Sequence, residues 1–203
     1  MRLLDFLFPP RVDESILRDV SIDDFLALVV PQVVSETRPE TVVLLPFSDS
    51  RIRAAIHEAK YHGSKHAFTL LAAALAEYLR DYDERPRRSF IIPIPLGKER
   101  RKERGFNQVE EIARRALHSL DGHFILNTNL LERVKETQTQ VSLERRRREE
   151  NMRGAFTATH RADPAYTYIV IDDVLTTGVT LQSAIDALQE VGAEHIILLA
   201  LAH

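Results

Sequence analysis

Residues 168–180, YIVIDDVLTTGVT, constrain the fold more than any other stretch of the chain. YIVID is a continuous apolar run that does not alternate between a wet and a dry face. It therefore reads as a strand buried on both sides, as in the middle of a parallel sheet. Two adjacent aspartates close the run, and a threonine-rich turn with one glycine follows. Leu181, Ala184, Ile185, Leu188 and Val191 then recur at helical spacing up to Gly192, and HIILLALA (195–202) is a second buried strand. Strand, loop, helix and strand in that order make a βαβ unit, so the fold class is α/β with a mostly parallel central sheet flanked by helices.

The same alternation begins earlier. FIIPIP (90–95) reads as a strand, a basic loop runs on to Gln108, and Val109, Ile112, Ala113, Ala116 and Leu117 mark a helix. LLERV (130–134) and AFTAT (155–159) read as two strands separated by a long polar insert. Before residue 85 helices dominate. Ser21 and Asp24 form a capping box that opens a helix carrying Phe25, Leu28 and Val29, which Pro31 bends or ends. TVVLLPF (41–47) is a strand; 50–62 is an amphipathic helix on Ile52, Ala55, Ile56 and Ala59, stopped by Gly63; an Ala/Leu-rich helix runs over 65–80. The polar, proline-broken stretch 80–89 is the plausible linker. It divides a small N-terminal helical hood, 1–85, from an α/β core, 86–203, the two expected to pack as one unit.

Composition narrows the class. At 203 residues, 44% hydrophobic and 28% charged, the chain suits a globular protein with a sizeable core, and a net charge of −3 says little about partners. The basic residues, mostly arginine, say more, because they cluster over 98–104, 133–135 and 145–153, and arginine forks grip phosphates, which points to phosphorylated ligands or nucleic acid. The absence of cysteine excludes disulfides and thiolate metal sites. Met1 to Phe8 is too short for a signal peptide and carries Asp5, and no apolar run is long enough to span a membrane, so no membrane insertion and a cytoplasmic location are expected.

Ligands of open parallel sheets bind just beyond the carboxyl ends of the strands. Asp172, Asp173 and the turn Val174, Leu175, Thr176, Thr177, Gly178, Val179, Thr180 stand at that address. Backbone N–H groups of the turn and of the next helix's first residues form a nest for phosphate, and Gly178 allows close approach. Carboxylates would repel a phosphate but accept hydrogen bonds from neutral vicinal hydroxyls, such as those of a ribose 5-phosphate. The aspartates therefore hold sugar hydroxyls and the turn holds the phosphate.

The stretch resembles, at every position, the 5-phosphoribosyl-1-pyrophosphate (PRPP) motif of type I phosphoribosyltransferases. ERGFNQ (103–108), NMRGAF (151–156) and AKYHGSKH (59–66) resemble the ComF branch, competence-associated proteins with such a domain, from LLDFLFPPR at 3–11 to the last strand. The resemblance implies a type I phosphoribosyltransferase-like fold and phosphoribosyl transfer from PRPP to a nitrogen acceptor. Mg²⁺ would be held by PRPP and water, with no direct protein ligand. It equally implies a PRPP sensor or scaffold of the DNA-uptake machinery that contacts a competence helicase or single-stranded DNA. A homodimer fits either. Many ComF proteins carry a four-cysteine zinc motif after FPPR; Val12, Asp13 and Glu14 stand there instead, so zinc is not expected. Residues 1–35 are then held by apolar packing of Leu3, Leu4, Phe6, Leu7, Phe8, Phe25 and Leu28.

The loop after FIIPIP, with Lys98, Arg100, Arg101, Lys102, Arg104, Gly105 and Asn107 or Gln108, reads on its own as a phosphate site, a solvated basic loop or a nonspecific nucleic-acid patch. The resemblance implies the pyrophosphate site, with Arg104 joining Asp172 and Asp173 as an expected catalytic residue. The insert containing Lys135, Thr137, Gln138, Arg145, Arg146 and Arg153 falls where the family places a flexible lid. An exposed helix whose arginines pair with Glu149 and Glu150 or contact DNA is an equal and compatible reading of 144–151. His57, His62 and His66 invite a metal, but Gly63 interrupts a common helical face, so they read as surface or packing residues. Glu110 and Glu111 read as a solvated helix face.

Overall fold

A computed structural model of the chain describes residues 11–82, 87–120, 122–135, 152 and 154–203. Its elements, in order, are α1 (Val12–Leu17), α2 (Ile22–Leu26), β1 (Gln32–Val34), β2 (Thr41–Leu45), α3 (Ser50–His62), α4 (Lys65–Tyr82), β3 (Ser89–Pro93), α5 (Lys98–Arg104), α6 (Gln108–Leu117), β4 (Phe124–Leu126), β5 (Leu131–Arg133), β6 (Phe156–Ala158), β7 (Thr167–Val174), α7 (Val179–Glu190) and β8 (His195–Ala202).

Six strands form one sheet in the order β1-β2-β8-β7-β3-β4, parallel except for β1, which runs antiparallel along β2. The α/β class with a mostly parallel sheet is therefore as the sequence predicts. β5 and β6 pair antiparallel in a separate two-stranded sheet. β7 explains its own unbroken apolar sequence: Ile169 and Ile171 enter a core with α1 to α4 and α6 on one face, while Tyr168 and Val170 enter a core with α7 and β6 on the other. β8 divides likewise, with Leu199 and Leu201 on the first face and Leu198 and Ala200 on the second. β2, from the N-terminal half, lies in register along β8, Thr41 opposite Leu198, so both halves of the chain share the sheet.

The topology locates the site. After β3 the chain passes through α5 and crosses by α6 on the first face to β4; after β7 it crosses by α7 on the second face to β8. The two exits leave neighbouring strand ends in opposite directions, and a crevice opens between the carboxyl ends of β3 and β7. Register fixes what meets there: Pro93 is opposite Ile171, and the N–H of Ile94 donates to the carbonyl of Ile171 (2.9 Å).

Local signals behave as expected at several ends. The Ser21–Asp24 capping box forms, and Gly63 ends α3 in the left-handed region at φ 59°. Other expectations need correcting. The helix opened by Ser21 stops at Leu26, before Leu28 and Val29, because the β-branched pair ahead of Pro31 leaves the helical region; Val30 instead donates to the carbonyl of Leu44. The basic loop contains a helix, α5, since Lys, Glu and Arg are good helix formers even without an apolar stripe. The strands β1 and β4, three residues each, are too short to show a period. Of the apolar residues expected to hold the N-terminus, Phe25 is fully buried and Leu28 packs against the core, while Leu3 to Phe8 lie outside the described residues. No helix among the described residues is long and apolar enough to cross a membrane.

Candidate phosphate and sugar site

Asp172 and Asp173 stand at the carboxyl end of β7, on the crevice, as the sequence places them. They differ in what holds them. Asp173 is buried, and its Oδ2 receives the amide of Gln108 at 2.7 Å and the ammonium of Lys60 at 3.4 Å; its Oδ1 receives the N–H of Val174 at 2.8 Å. Asp172 is half-buried and accepts the N–H of Asp173 at 2.9 Å. Burial, and then the charge of Asp173, push the Asp172 carboxyl up to about 7, with Lys60 pulling the other way.

The turn is anchored on both sides. Leu175 donates to the carbonyl of Ala202 and accepts from the ring of His203, which ties it to the end of β8. Gly178, buried at φ 73°, is the N-cap of α7 and supplies no side-chain cap, which leaves the first-turn N–H groups directed at the turn. A Cβ on Gly178 would lie 2.6 Å from Thr37 Cγ2 and 2.9 Å from the Glu36 carbonyl oxygen. The segment 35–40 thus packs directly onto the turn, and Gln182 on α7 fastens it by accepting the N–H of Arg38 (2.8 Å) and donating to its carbonyl (3.2 Å). Thr176 is exposed, Thr177, Val179 and Thr180 half-buried.

The expected pyrophosphate residues divide into two groups. Arg104 lies toward the aspartates: it donates to Gln108 Oε1 at 3.0 Å, and Gln108 in turn donates to Asp173. Lys98, Arg101 and Lys102 instead line an open cleft of about 550 Å³, opposite Thr128, Asn129 and Arg133, which Asp172, Asp173 and the threonine turn do not line. Arg101 is paired with Glu110 at 3.0 Å. Arg100 is half-buried, and Gly105 ends α5 in the left-handed region at φ 77°. Asn107 is buried with both ends engaged, donating to the Ile94 carbonyl and accepting the N–H of Val109, so it fixes the strand exit to the start of α6. Of the expected lid, Lys135 is exposed beside β5; Thr137, Gln138, Arg145, Arg146 and Arg153 lie outside the described residues.

Lys60 and Tyr61 are site residues to which the sequence assigns no role, and Gln108, an expected alternative to Asn107 in the pyrophosphate loop, instead holds Asp173. AKYHGSKH marks a family resemblance, yet nothing in its spacing shows that Lys60 reaches a carboxylate 113 positions away. Tyr61 is 57% exposed, and the Arg104 guanidinium stands 5.3 Å from its ring centre.

The histidines separate. His66 bonds the Leu17 carbonyl, whereas His57, Glu58 and His62 bring ligand atoms within 4.8 Å of one another. The Arg11 fork occupies both oxygens of buried Glu58, at 2.9 and 2.8 Å, and holds its carboxyl below the usual range; His57 pairs with Asp13 at 2.8 Å. These contacts clamp α1 onto α3. Glu110 and Glu111 are not simply solvated, since they pair with Arg101, Arg114 and Arg115.

The phosphoribosyl transferase domain family matches residues 103–203, which contain the aspartates, the turn and α7. The chain is 36% identical over 115 residues to competence protein F of Haemophilus influenzae, covering 55% of this chain and 49% of that one. It is 33% identical over 102 residues to competence protein ComFC of Bacillus subtilis, covering 50% and 39%. It is 32% identical over 130 residues to the DNA utilization protein YhgH of Salmonella typhimurium, covering 61% and 56%. The chain thus spans about half the length of the curated relatives it matches. A hypoxanthine phosphoribosyltransferase from Staphylococcus aureus superposes with a TM-score of 0.40 at 14% identity, over 66% of this chain and 61% of that one. The C-terminal half of the chain, from Glu103 through β7 and α7 to the last strand, thus matches the phosphoribosyl transferase domain family, and the chain is similar to competence proteins F and ComFC.

Proposed function

We propose that the crevice between β3 and β7 binds PRPP and that the chain transfers its phosphoribosyl group to a nitrogen acceptor, releasing pyrophosphate. The observation that carries this reading is the pairing of a half-buried carboxylate, Asp172, with a glycine-capped helix start at Gly178. Asp172 and Asp173 accept the ribose hydroxyls, and the N–H groups and hydroxyls from Thr176 to Thr180 receive the 5-phosphate. The Asp173 oxygens already accept from Gln108, Lys60 and Val174, so the pair suits hydroxyl donors better than a bare cation. That fits an Mg²⁺ carried by PRPP oxygens and water. When bound, Mg²⁺ neutralises charge on the departing pyrophosphate. The chain's own contribution is a fixed ribose and cations from α5, with Arg104 nearest the aspartates, facing the leaving group.

The test is thermal unfolding with and without PRPP and Mg²⁺. Stabilisation is expected in the parent chain, and Asp172→Asn with Asp173→Asn should remove on the order of 2–4 kcal/mol of binding. Unchanged stabilisation of the double variant overturns the ribose assignment. Pyrophosphate release across purine, pyrimidine, ammonia and amine acceptors then separates turnover from a second reading, a PRPP sensor or scaffold in DNA uptake that contacts a helicase or single-stranded DNA. That alternative draws on the relatives' designations as competence and DNA utilization proteins. A cytoplasmic location belongs to both.

A further inference from the structure

We propose that Lys60, delivered by α3 from outside the residues matching the domain family, is the positioning cation of the aspartate pair: it seats Asp173 and keeps both carboxylates available as acceptors. This deepens the proposed function and rests on it for the identity of the ligand.

The ammonium stands 3.4 Å from Asp173 Oδ2, the same oxygen that receives Gln108, with the lysine side chain 27% and the aspartate side chain 11% exposed. Two adjacent carboxylates with little solvent between them repel, and without a cation one takes up a proton. A protonated carboxyl donates where a sugar hydroxyl needs an acceptor, so a charge partner decides whether the pair works at neutral pH. Among the described residues, Lys60 makes the ion pair the aspartates have. Arg104 from α5 stands one step behind, through the neutral Gln108 of α6, and β3, β8 and α7 add no second ion pair.

The helix that carries Lys60 is held in place. Arg11 and Asp13 grip Glu58 and His57 one turn before it, and the N–H groups of Gly63 and Ser64 both close on the Glu58 carbonyl after it. Lys60 lies in the last turn of α3, where the helix dipole favours a cation. The N-terminal half therefore sets the charge of a site whose ligand contacts come from the C-terminal half. Burial drives Asp172 up to about 7 even with Lys60 in place, so the pair is poised to respond to its removal.

The experiment is ¹³C-carboxylate NMR titration of the ligand-free chain, as parent, Lys60→Met and Lys60→Arg, with melting temperatures as the fold control. In Lys60→Met the protonation midpoint of the pair should rise by about one pH unit, and Lys60→Arg should restore it. PRPP affinity with Mg²⁺ should then fall roughly tenfold at pH 6.5 in Lys60→Met and much less at pH 8.5, since the acid limb of binding moves upward. An unmoved midpoint in a folded Lys60→Met overturns the proposal, as does a Lys60→Arg that behaves like Lys60→Met. If the methionine variant does not fold, Lys60→Gln takes its place under the same criteria. A shifted midpoint in a chain whose parent fails to bind PRPP supports the role of Lys60 and overturns the ligand instead.

Discussion

The acidic floor of the crevice and its basic rim are built in opposite ways. Asp172 and Asp173 end a strand packed on both faces, and their oxygens and the adjoining turn are bonded to β8, α6, α3 and segment 35–40. Lys98, Arg101 and Lys102 are exposed on a seven-residue helix with no buried residue. Several cations there are already occupied, Arg101 with Glu110 and Arg104 with Gln108. The floor is thus preorganised at the expense of desolvating charge, and the rim is solvated and must exchange internal partners for a ligand. Substitutions in the floor should accordingly change folding and binding together, and those in the rim should change binding alone.

Gly178→Ala should show the largest effect on the floor. It places a side chain in the left-handed region and drives Cβ against Thr37 and the Glu36 carbonyl, neither of which is the free end of a flexible chain. Strain and overpacking together should cost about 3 kcal/mol in chemical denaturation, and phosphate binding with it. A loss below about 1 kcal/mol would mean that segment 35–40 yields easily, and the contrast with the rim would weaken.

Asp172→Asn tests the desolvation in the floor, with a sign that depends on pH. The folded carboxyl titrates near 7, above its unfolded value of about 4, so the folded chain binds the extra proton between these limits. The associated stability is fully present below about pH 4 and is lost as pH rises through 7. Removing the carboxylate removes that loss. The variant should gain on the order of 1–3 kcal/mol at pH 8, a smaller part of that at pH 5 and nothing below about pH 4, and bind PRPP more weakly throughout. Equal stability at pH 8 would show that Asp172 ionises without penalty.

The same contrast governs what the sequence made legible. YIVIDDVLTTGVT shows its strand, its carboxylates and its turn because burial on both faces writes an unbroken apolar run, and the turn needs its glycine. The contacts of Lys60 and Gln108 with Asp173 are not visible this way, since an ion pair across 113 positions and a hydrogen bond across 65 leave no period. Asn107 looked like a ligand contact from its place near a helix start, and the structure shows both ends of its side chain engaged within the chain. α5 was missed because a helix without a buried face writes no stripe, and its cations divide between two sides of the crevice for the same reason: little besides charge orients them.

The smallest effect on stability should come from the rim, with Lys98, Arg101 and Lys102 all changed to Gln. Glutamine keeps the helix propensity of α5 close to that of lysine and arginine, and exposed positions of this kind usually shift stability within about 0.5 kcal/mol. The Arg101–Glu110 pair is half exposed on the arginine side, and Glu110 retains Arg114 at 2.7 Å, so its loss leaves no buried charge alone. Inorganic pyrophosphate is the probe of binding. Its affinity should fall, and its dependence on salt should flatten, if these three cations and Arg133 gather an anion in the 550 Å³ cleft. If affinity is unchanged while Arg104→Gln abolishes it, the anion sits on the side of the crevice where Arg104 meets Gln108 and Asp173. The rim would then be a single arginine held by the floor, and the division between floor and rim would lie inside α5 rather than between α5 and β7.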